Sequence, residues 1–476
     1  MLVEGYHPGV EDDGVYLAAI QRRLHPALYP HDFSLFTRQM QASIFDRLMA
    51  GLVRMTHLPL PVIELAGQYL AAFFLLWGCR ALAERCFPTR AGVWAAMGMV
   101  GVLFTLPVAG TALYLFDQAL HPRALATVLI LAAILQVLNR RLIGGAVLLV
   151  LALVMHPLMG AFGISYCIIL LVCDVWSRGQ RSRAAVPARA ISAAAFAGVV
   201  PSWIFERPSP AWRAALDTRN YYFLSRWAWY EWLGALAPML ILWLMARHAR
   251  RANRPTMARL ASSTAIFAAF QLAVACIILF TPRLVRLTPM QPMRYLHLVY
   301  LIMILLGGGL IGEKLLRNRP WRWFALFLPL AAGMFLGQRA LFPESHHLEL
   351  PGRSPRNSWV QAFVWVRHNT PEDAYFALDP HYMARPGEDQ HSFRALAERS
   401  ELADAVKDAA VATQVPDLAS LWLRQTQAAA GWQHFGRQDF LRLRQQFGVN
   451  WIIVSSPSVD GLACPYRNQA VSVCRL

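Results

Sequence analysis

Lysine is almost missing from this chain: Lys314 and Lys407 are the only two among 45 basic residues, and the rest are arginine. Acids are scarce too, with 28 Asp and Glu in 476 residues, so the formal charge is +17. There is no Gly-rich phosphate loop, no HExxH and no GxSxG. A nucleotide-driven pump and a soluble hydrolase therefore find no support. Internal repeats and low-complexity stretches are absent. Charges inside the apolar blocks are few, Glu64 being the main exception, and no inverted repeat is visible. A transporter should show midplane charges or broken helices in paired halves.

Hydrophobic residues make up 56% of the chain, and they come in long blocks. Apolar blocks of about 18 or more residues read as transmembrane helices. The pattern predicts a mainly α, polytopic membrane protein of about ten spans. They lie near 62–79, 91–110, 122–138, 142–156, 157–175, 190–205, 228–246, 259–280, 294–311 and 321–340. The fourth and fifth share His156-Pro157 and read as two short spans or one broken hairpin. Arginines punctuate the spans rather than forming a basic face, which points to membrane orientation and away from nucleic acid. Alternate loops hold eighteen basic residues against eight. By the positive-inside rule the richer set is cytoplasmic. Residues 1–61 and the tail 341–476 then lie outside the cell (inner) membrane, on the periplasmic side. No signal peptide or leading span carries the head across, and Met1-Leu2-Val3 reads as the end of an apolar helix, so one further span is expected upstream.

The head opens with "VEDDGVYLAAI", where Glu11, Asp12 and Asp13 stand together. Acids favour the first turn of a helix, but three in a row also repel one another, and a carboxylate with a raised pKa can act as a base or bind a cation. Residues 33–56 place Phe33, Phe36, Met40, Ile44, Leu48 and Leu52 on one stripe, an amphipathic helix for the membrane surface or for the protein's own spans. His-Pro recurs at His7, His25, His121 and His156, all on the outer side. Their spacings match no zinc pattern, so they read as residues lining a site or as helix starts. Asp117 and His121 sit just outside a span, as site residues or as plain loop residues. In "TPRLVRLTPMQPMRYLHL", Arg294 begins a span on the outer side, able to hold phosphate or to snorkel. The tail reads as a small α/β domain, with helices in "SWVQAFVWVRHN", "FRALAERSELADAVKDAA" and "QDFLRLRQQF", and strands after the first and last. Cys464 and Cys474 have hairpin spacing in an oxidising compartment and are expected to pair.

This layout resembles the GT-C superfamily of polytopic glycosyltransferases. "VEDDGVYLAAI" is similar to the acidic motif of their first outer loop, residues 33–56 to its surface helix, and "QPMR" to a late arginine-bearing loop. The tail, with "WVRHNTPEDAYFALDP", resembles the ends of bacterial proteins of this type. Relative to that pattern the first span is missing. The resemblance implies a sugar carried on a polyprenyl phosphate, an acceptor hydroxyl of unknown identity, and inversion at the sugar carbon. Asp12 or Asp13 would be the base, with Glu11 orienting it or helping to hold a cation. Arg294 would bind the phosphate, and Gln291, His7, Asp117, His121 and His156 would line the substrate site. A divalent cation is the one cofactor it leaves open. The rival reading is a lipid or solute transporter or an envelope assembly protein. For the topology, a cysteine introduced at residue 350 is expected to react with an impermeant thiol reagent added outside, and one at residue 250 to stay shielded. Labelling at 250 would reverse the orientation.

Overall fold

The computed structural model describes residues 1–179 and 205–476. The chain is a mainly helical, multi-pass membrane protein with a small C-terminal sheet. Among the described residues six helices are long and apolar enough to cross a membrane: Leu60–Cys86, Pro157–Val175, Trp229–Arg251, Pro255–Phe280, Pro292–Leu316 and Pro320–Leu341. The expected count of about ten spans is thus not reached among the described residues. Pro122–Leu138 and Leu142–Met155 are apolar but shorter. At about 1.5 Å per residue they reach roughly 21–26 Å, less than the about 30 Å of bilayer hydrocarbon. The expected 91–110 span stops at Val102. Pro107 cannot continue a helix, and a hairpin follows, β1 (Pro107–Val108) with β2 (Leu113–Tyr114). The 190–205 span lies outside the described residues.

Leu296–Ile311 is the central helix and is buried along most of its length. Small residues let it approach Arg90–Val102 closely: a Cβ on Gly308 would meet the Ala95 carbonyl at 2.8 Å, and one on Gly312 the Ala91 carbonyl at 2.4 Å. Such small-residue contacts drive helix association in lipid, where apolar burial alone gives no preference. Pro320–Leu341 is the opposite case. Trp321, Phe324, Leu328 and Leu336 are each more than 60% exposed, as lipid-facing side chains should be.

The connections gather at two ends. At one, Arg254 pairs with Glu313, Arg140 and Arg259 with Asp174, and Arg85 bonds Asn139. At the other meet the head, the 103–121 connection, His156, residues 205–228, residues 281–295 and the tail. There Ser43 bonds the Met155 carbonyl, Gln118 bonds Gln338, and Trp212 bonds the Thr413 carbonyl. Among the described residues, the basic-rich loops at 80–90, 140–141, 247–259 and 314–322 share the first of these ends.

The head is not one amphipathic helix. It breaks at residues 41–44 into Ser34–Met40 and Phe45–Thr56. Phe36 and Met40 are buried, whereas Leu48 and Met55 are exposed at 39% and 79%. The stripe therefore serves the protein core first and an exposed face second. In the tail, "FRALAERSELADAVKDAA" likewise breaks: helices Phe393–Ala397 and Lys407–Gln414 flank the strand Ser400–Glu401. Strands β3 (Tyr375–Ala377), β4 (Ser400–Glu401), β5 (Trp451–Ser455), β6 (Ala463–Arg467) and β7 (Val471–Arg475) form one mixed sheet, ordered β4-β3-β5-β7-β6. Alternation splits its core: Phe376, Ile453 and Val473 face Trp359 and Phe363, while Ala377, Ile452 and Val454 face Phe440 and Leu443. Cys464 and Cys474 are bonded across the β6–β7 hairpin.

Head and tail lock together through one guanidinium. Buried Arg394 bonds Asp32 of the head and both oxygens of Asp408, with Glu401 at 3.6 Å and Asp404 at 3.9 Å. Four carboxyls around one cation cannot all ionise cheaply. Burial pushes Asp408 up to about 7, with Asp404 adding to the rise and Arg394 opposing it. A carboxyl raised in the folded state stabilises fully below its unfolded value, and that contribution is lost as pH rises through the folded one. The clamp is therefore expected to weaken as pH rises from about 4 to about 7, and Asp408→Asn to flatten that slope in thermal unfolding. Arg394→Met, which strands buried carboxylates, is expected to cost about 3–5 kcal/mol.

Candidate functional site

The acidic turn precedes the helix Asp13–Leu24, whose first turn is pressed against the tail. A Cβ on Gly14 would lie 2.2 Å from the Ser392 Cβ, so only glycine allows that approach. Asp13 ties back the loop before its helix: its carboxyl accepts the Gly9 N–H at 2.6 Å, and it is 1% exposed. Burial pushes the Asp13 carboxyl up, with His121 and the Gly9 bond opposing the rise.

Asp12 behaves differently. It occupies the N-cap position but makes no capping bond. Its carboxylate turns outward to two cations, Arg123 Nη1 at 3.2 Å and Lys407 Nζ at 3.1 Å, and its side chain stays 34% exposed. Burial alone would raise this group, but Lys407, Arg123 and Arg294 outweigh it and hold Asp12 well below the usual carboxylate range. Arg123 in turn grips Asp117 with two bonds of 2.6 Å, and His121 Nδ1 lies 3.1 Å from Asp117 Oδ2. His156 ends Leu142–Met155, and its Nδ1 accepts the Met159 N–H at 3.3 Å. Arg294, His156 and Asp12 all lie within electrostatic reach of one another. Asp12, Asp117, His121, His156 and Arg294, far apart in sequence, thus converge.

The other expected residues go elsewhere. Glu11 turns away from Asp12 on a backbone with φ +49° and lines an open groove of about 670 Å³. Tyr114, Tyr221, Tyr230 and Glu231 form the rest of its polar wall. Gln291 lines a small recess with Arg294, and that recess shares Gly110 and Tyr221 with the groove. His7 belongs to a separate junction. It is buried and stacked on Phe342, and its Nδ1 lies 2.9 Å from Glu349, which also holds His391 at 3.1 Å. It serves the seam between head and tail. The sequence reading missed Arg123 and Lys407 as site residues. Each carried a signal: Arg123 directly follows the His121-Pro122 turn on the arginine-poor end, and Lys407 is one of two lysines.

A metal does not fit this turn. Its three acids diverge, and both Asp12 oxygens are already taken by cations. Among the described residues no group of three His, Cys, Asp or Glu side chains is placed to hold one.

Residues 357–414 match the model of a domain of unknown function, DUF6798. None of the curated proteins matches the chain. Among solved structures, the apo-form crystal structure of the Archaeoglobus fulgidus oligosaccharyltransferase is similar over 94% of this chain, at 13% identity and a TM-score of 0.38. The match spans 66% of that protein's chain.

Arg123 is the hub of the converged set. Replacing it by Met leaves buried Asp117 with only His121 beside it, and a broken buried pair costs about 3–5 kcal/mol. Lys407→Met leaves the half-exposed Asp12 still facing Arg123, and should cost about 1 kcal/mol or less. Thermal unfolding of the two variants in detergent checks the order.

Proposed function

We propose that this chain is a membrane glycosyltransferase, moving a sugar from a polyprenyl-phosphate donor to an acceptor hydroxyl at the end of the protein where head and tail meet. By the positive-inside argument that end faces the periplasm. The observation that carries the reading is Asp12. It is a carboxylate spared from capping, kept ionised, partly exposed, and set beside Arg294, a cation with no ion pair among the described residues.

Asp12 accepts the proton of the acceptor hydroxyl as that oxygen attacks the anomeric carbon. The bond from the sugar to the phosphate oxygen breaks on the opposite face, giving inversion, and its electron pair leaves with the phosphate. Arg294 takes up that charge. A carboxylate held so low is a weak base, so proton transfer runs late, when bond breaking has already made the hydroxyl acidic. Asp13 is disfavoured as the base by its burial and its bond to Gly9. The groove bordered by Glu11 supplies a route from the lipid, since it reaches the start of Trp229–Arg251. There Trp229, Tyr230 and Leu233 are 76%, 60% and 56% exposed.

Asp12→Asn is expected to lower sugar transfer in membranes by about 10²–10⁴-fold, the usual share of a general base. Asp13→Asn should keep activity within about tenfold, because Asn still accepts the Gly9 bond. Arg294→Ala should raise the KM for the lipid donor. Full transfer by Asp12→Asn would remove the base and leave the reading on architecture, which cannot establish a reaction. The rival transporter reading has one foothold, the buried acid Glu64 inside the apolar helix Leu60–Cys86. Solute movement in vesicles without sugar transfer would favour it.

A further inference from the structure

One groove at the head-and-tail end is acidic, in a protein whose formal charge is +17. Its volume is about 670 Å³, and its wall holds Glu11, Glu231, Tyr114, Tyr221 and Tyr230, with no Lys, Arg or His. Other acids at this end are paired with cations. Asp12 has Arg123 and Lys407, Asp117 has Arg123, Asp217 has Arg226 and Glu206 has Arg286. Glu11 and Glu231 form no ion pair among the described residues. Each is held in place by something other than a cation. One oxygen of Glu231 accepts the Ala228 N–H at 2.7 Å, which caps the helix Trp229–Arg251. Glu11 stands at φ +49°, a backbone that non-glycine residues rarely adopt. Its N–H donates to the Gln390 carbonyl of the tail at 3.0 Å, and that bond fixes it. Three segments supply the aromatic wall. Tyr114 belongs to β2, Tyr221 packs edge-on against Tyr222 with ring centroids 4.8 Å apart, and Tyr230 lies in the first turn of Trp229–Arg251. Burial first, and then Glu11, pushes the Tyr114 phenol up to about 12, so it stays neutral.

We propose that this groove is a subsite for an aminated saccharide, whose primary ammonium group sits between Glu11 and Glu231 with its ring against the tyrosines. Two carboxylates in one groove repel, and one organic cation relieves both. Aromatic faces add to this, since a cation within about 6 Å of a Tyr ring centre is attracted to it. The same faces cover the apolar C–H surface of a sugar. A metal ion is poorly served here, because hard cations take six or more oxygens and, among the described residues, no group of three acid, His or Cys side chains is placed to hold one. A phosphate is repelled by the two carboxylates. On the glycosyltransferase reading, on which this step rests, the groove therefore receives the acceptor and not the phosphate of the donor. An amino sugar also brings the hydroxyl that such an acceptor needs. It can come free from water or on a lipid, for the groove reaches the start of Trp229–Arg251, where Trp229 and Leu233 are exposed.

The test uses the full chain in nanodiscs at about pH 6, where a primary amine is charged. Affinities for glucosamine and N-acetylglucosamine are compared, and then those for their octyl glycosides. Acetylation removes the charge and leaves the ring. In at least one pair the amine is expected to bind about tenfold or more tighter than its acetylated partner. A preference among the free sugars assigns a water-borne ligand, and one confined to the octyl glycosides assigns a lipid-borne one. Glu11→Gln and Glu231→Gln should each lower the preference, and the double variant should abolish it. Glutamine can still accept the Ala228 N–H, so both variants should unfold near the wild-type temperature. Tyr230→Leu changes a side chain that is 60% exposed, and it should weaken amine binding without touching the fold. Equal affinity within both pairs, tighter binding of the acetylated sugars, or a preference that survives the double variant would each overturn the subsite. So would displacement of the amine by Mg²⁺ or Ca²⁺, which would make the carboxylates a metal site. An amine preference without sugar transfer keeps the subsite and sinks the enzyme. Transfer to an amine-free acceptor, with no amine preference, does the reverse.

Discussion

A guanidinium withdrawn from water must find oxygens, and at the head-and-tail end that requirement organises the rest. Arg123 begins a helix of the apolar bundle and is 3% exposed. Its answer is the two-bond grip on Asp117, which fixes the 103–121 connection over the bundle, and a third bond to Asp12, which fixes the head. Three segments that lie far apart in the chain are thereby pinned to one side chain. Asp12 cannot relax into an ordinary helix cap while Arg123 holds it. What would be a local structural acid becomes an outward-facing carboxylate.

The tail enters the same arrangement from the other side. Lys407 reaches Asp12 across the seam, while Arg394 draws Asp32 of the head into the tail's interior. Main-chain bridges Tyr6 with Leu348 and Val10 with His391 run alongside. A shared apolar cluster joins Leu35 of the head, Trp212 and Tyr222 of the 205–228 stretch, and Trp422 of the tail. The tail is therefore part of the wall around the acidic turn and not an appendage. Its contribution to the site is a charge, Lys407, that keeps the proposed base ionised.

Matched and unmatched cations then divide the labour. Those that build the scaffold are saturated with carboxylates, and they can be so because the acids, though few, are concentrated at these junctions. Arg294 lines a small recess with Tyr222 and Gln291, which supply neutral polar groups and no counter-charge. The same electrostatic rule explains both sets. Where the protein provides the anion it gains rigidity.

The sequence by itself determined the membrane class, the existence of long apolar helices though not their number, the strand alternation of the tail and the pairing of Cys464 with Cys474. These depend on local periodicity and on counts, which a linear reading carries. It also marked Asp12, Asp117, His121, His156 and Arg294, because polar residues at the edges of apolar blocks stand out. Only the tertiary structure decided which of them meet. It sent Glu11 to the groove and His7 to Glu349, gave Asp13 to Gly9 and Asp12 to Arg123 and Lys407, and broke the 33–56 and 393–410 helices. The partner of each charge comes from another segment, up to 395 residues away for Asp12 and Lys407. The strength of a carboxylate is set by such partners and by burial, neither of which is written at its own position in the chain.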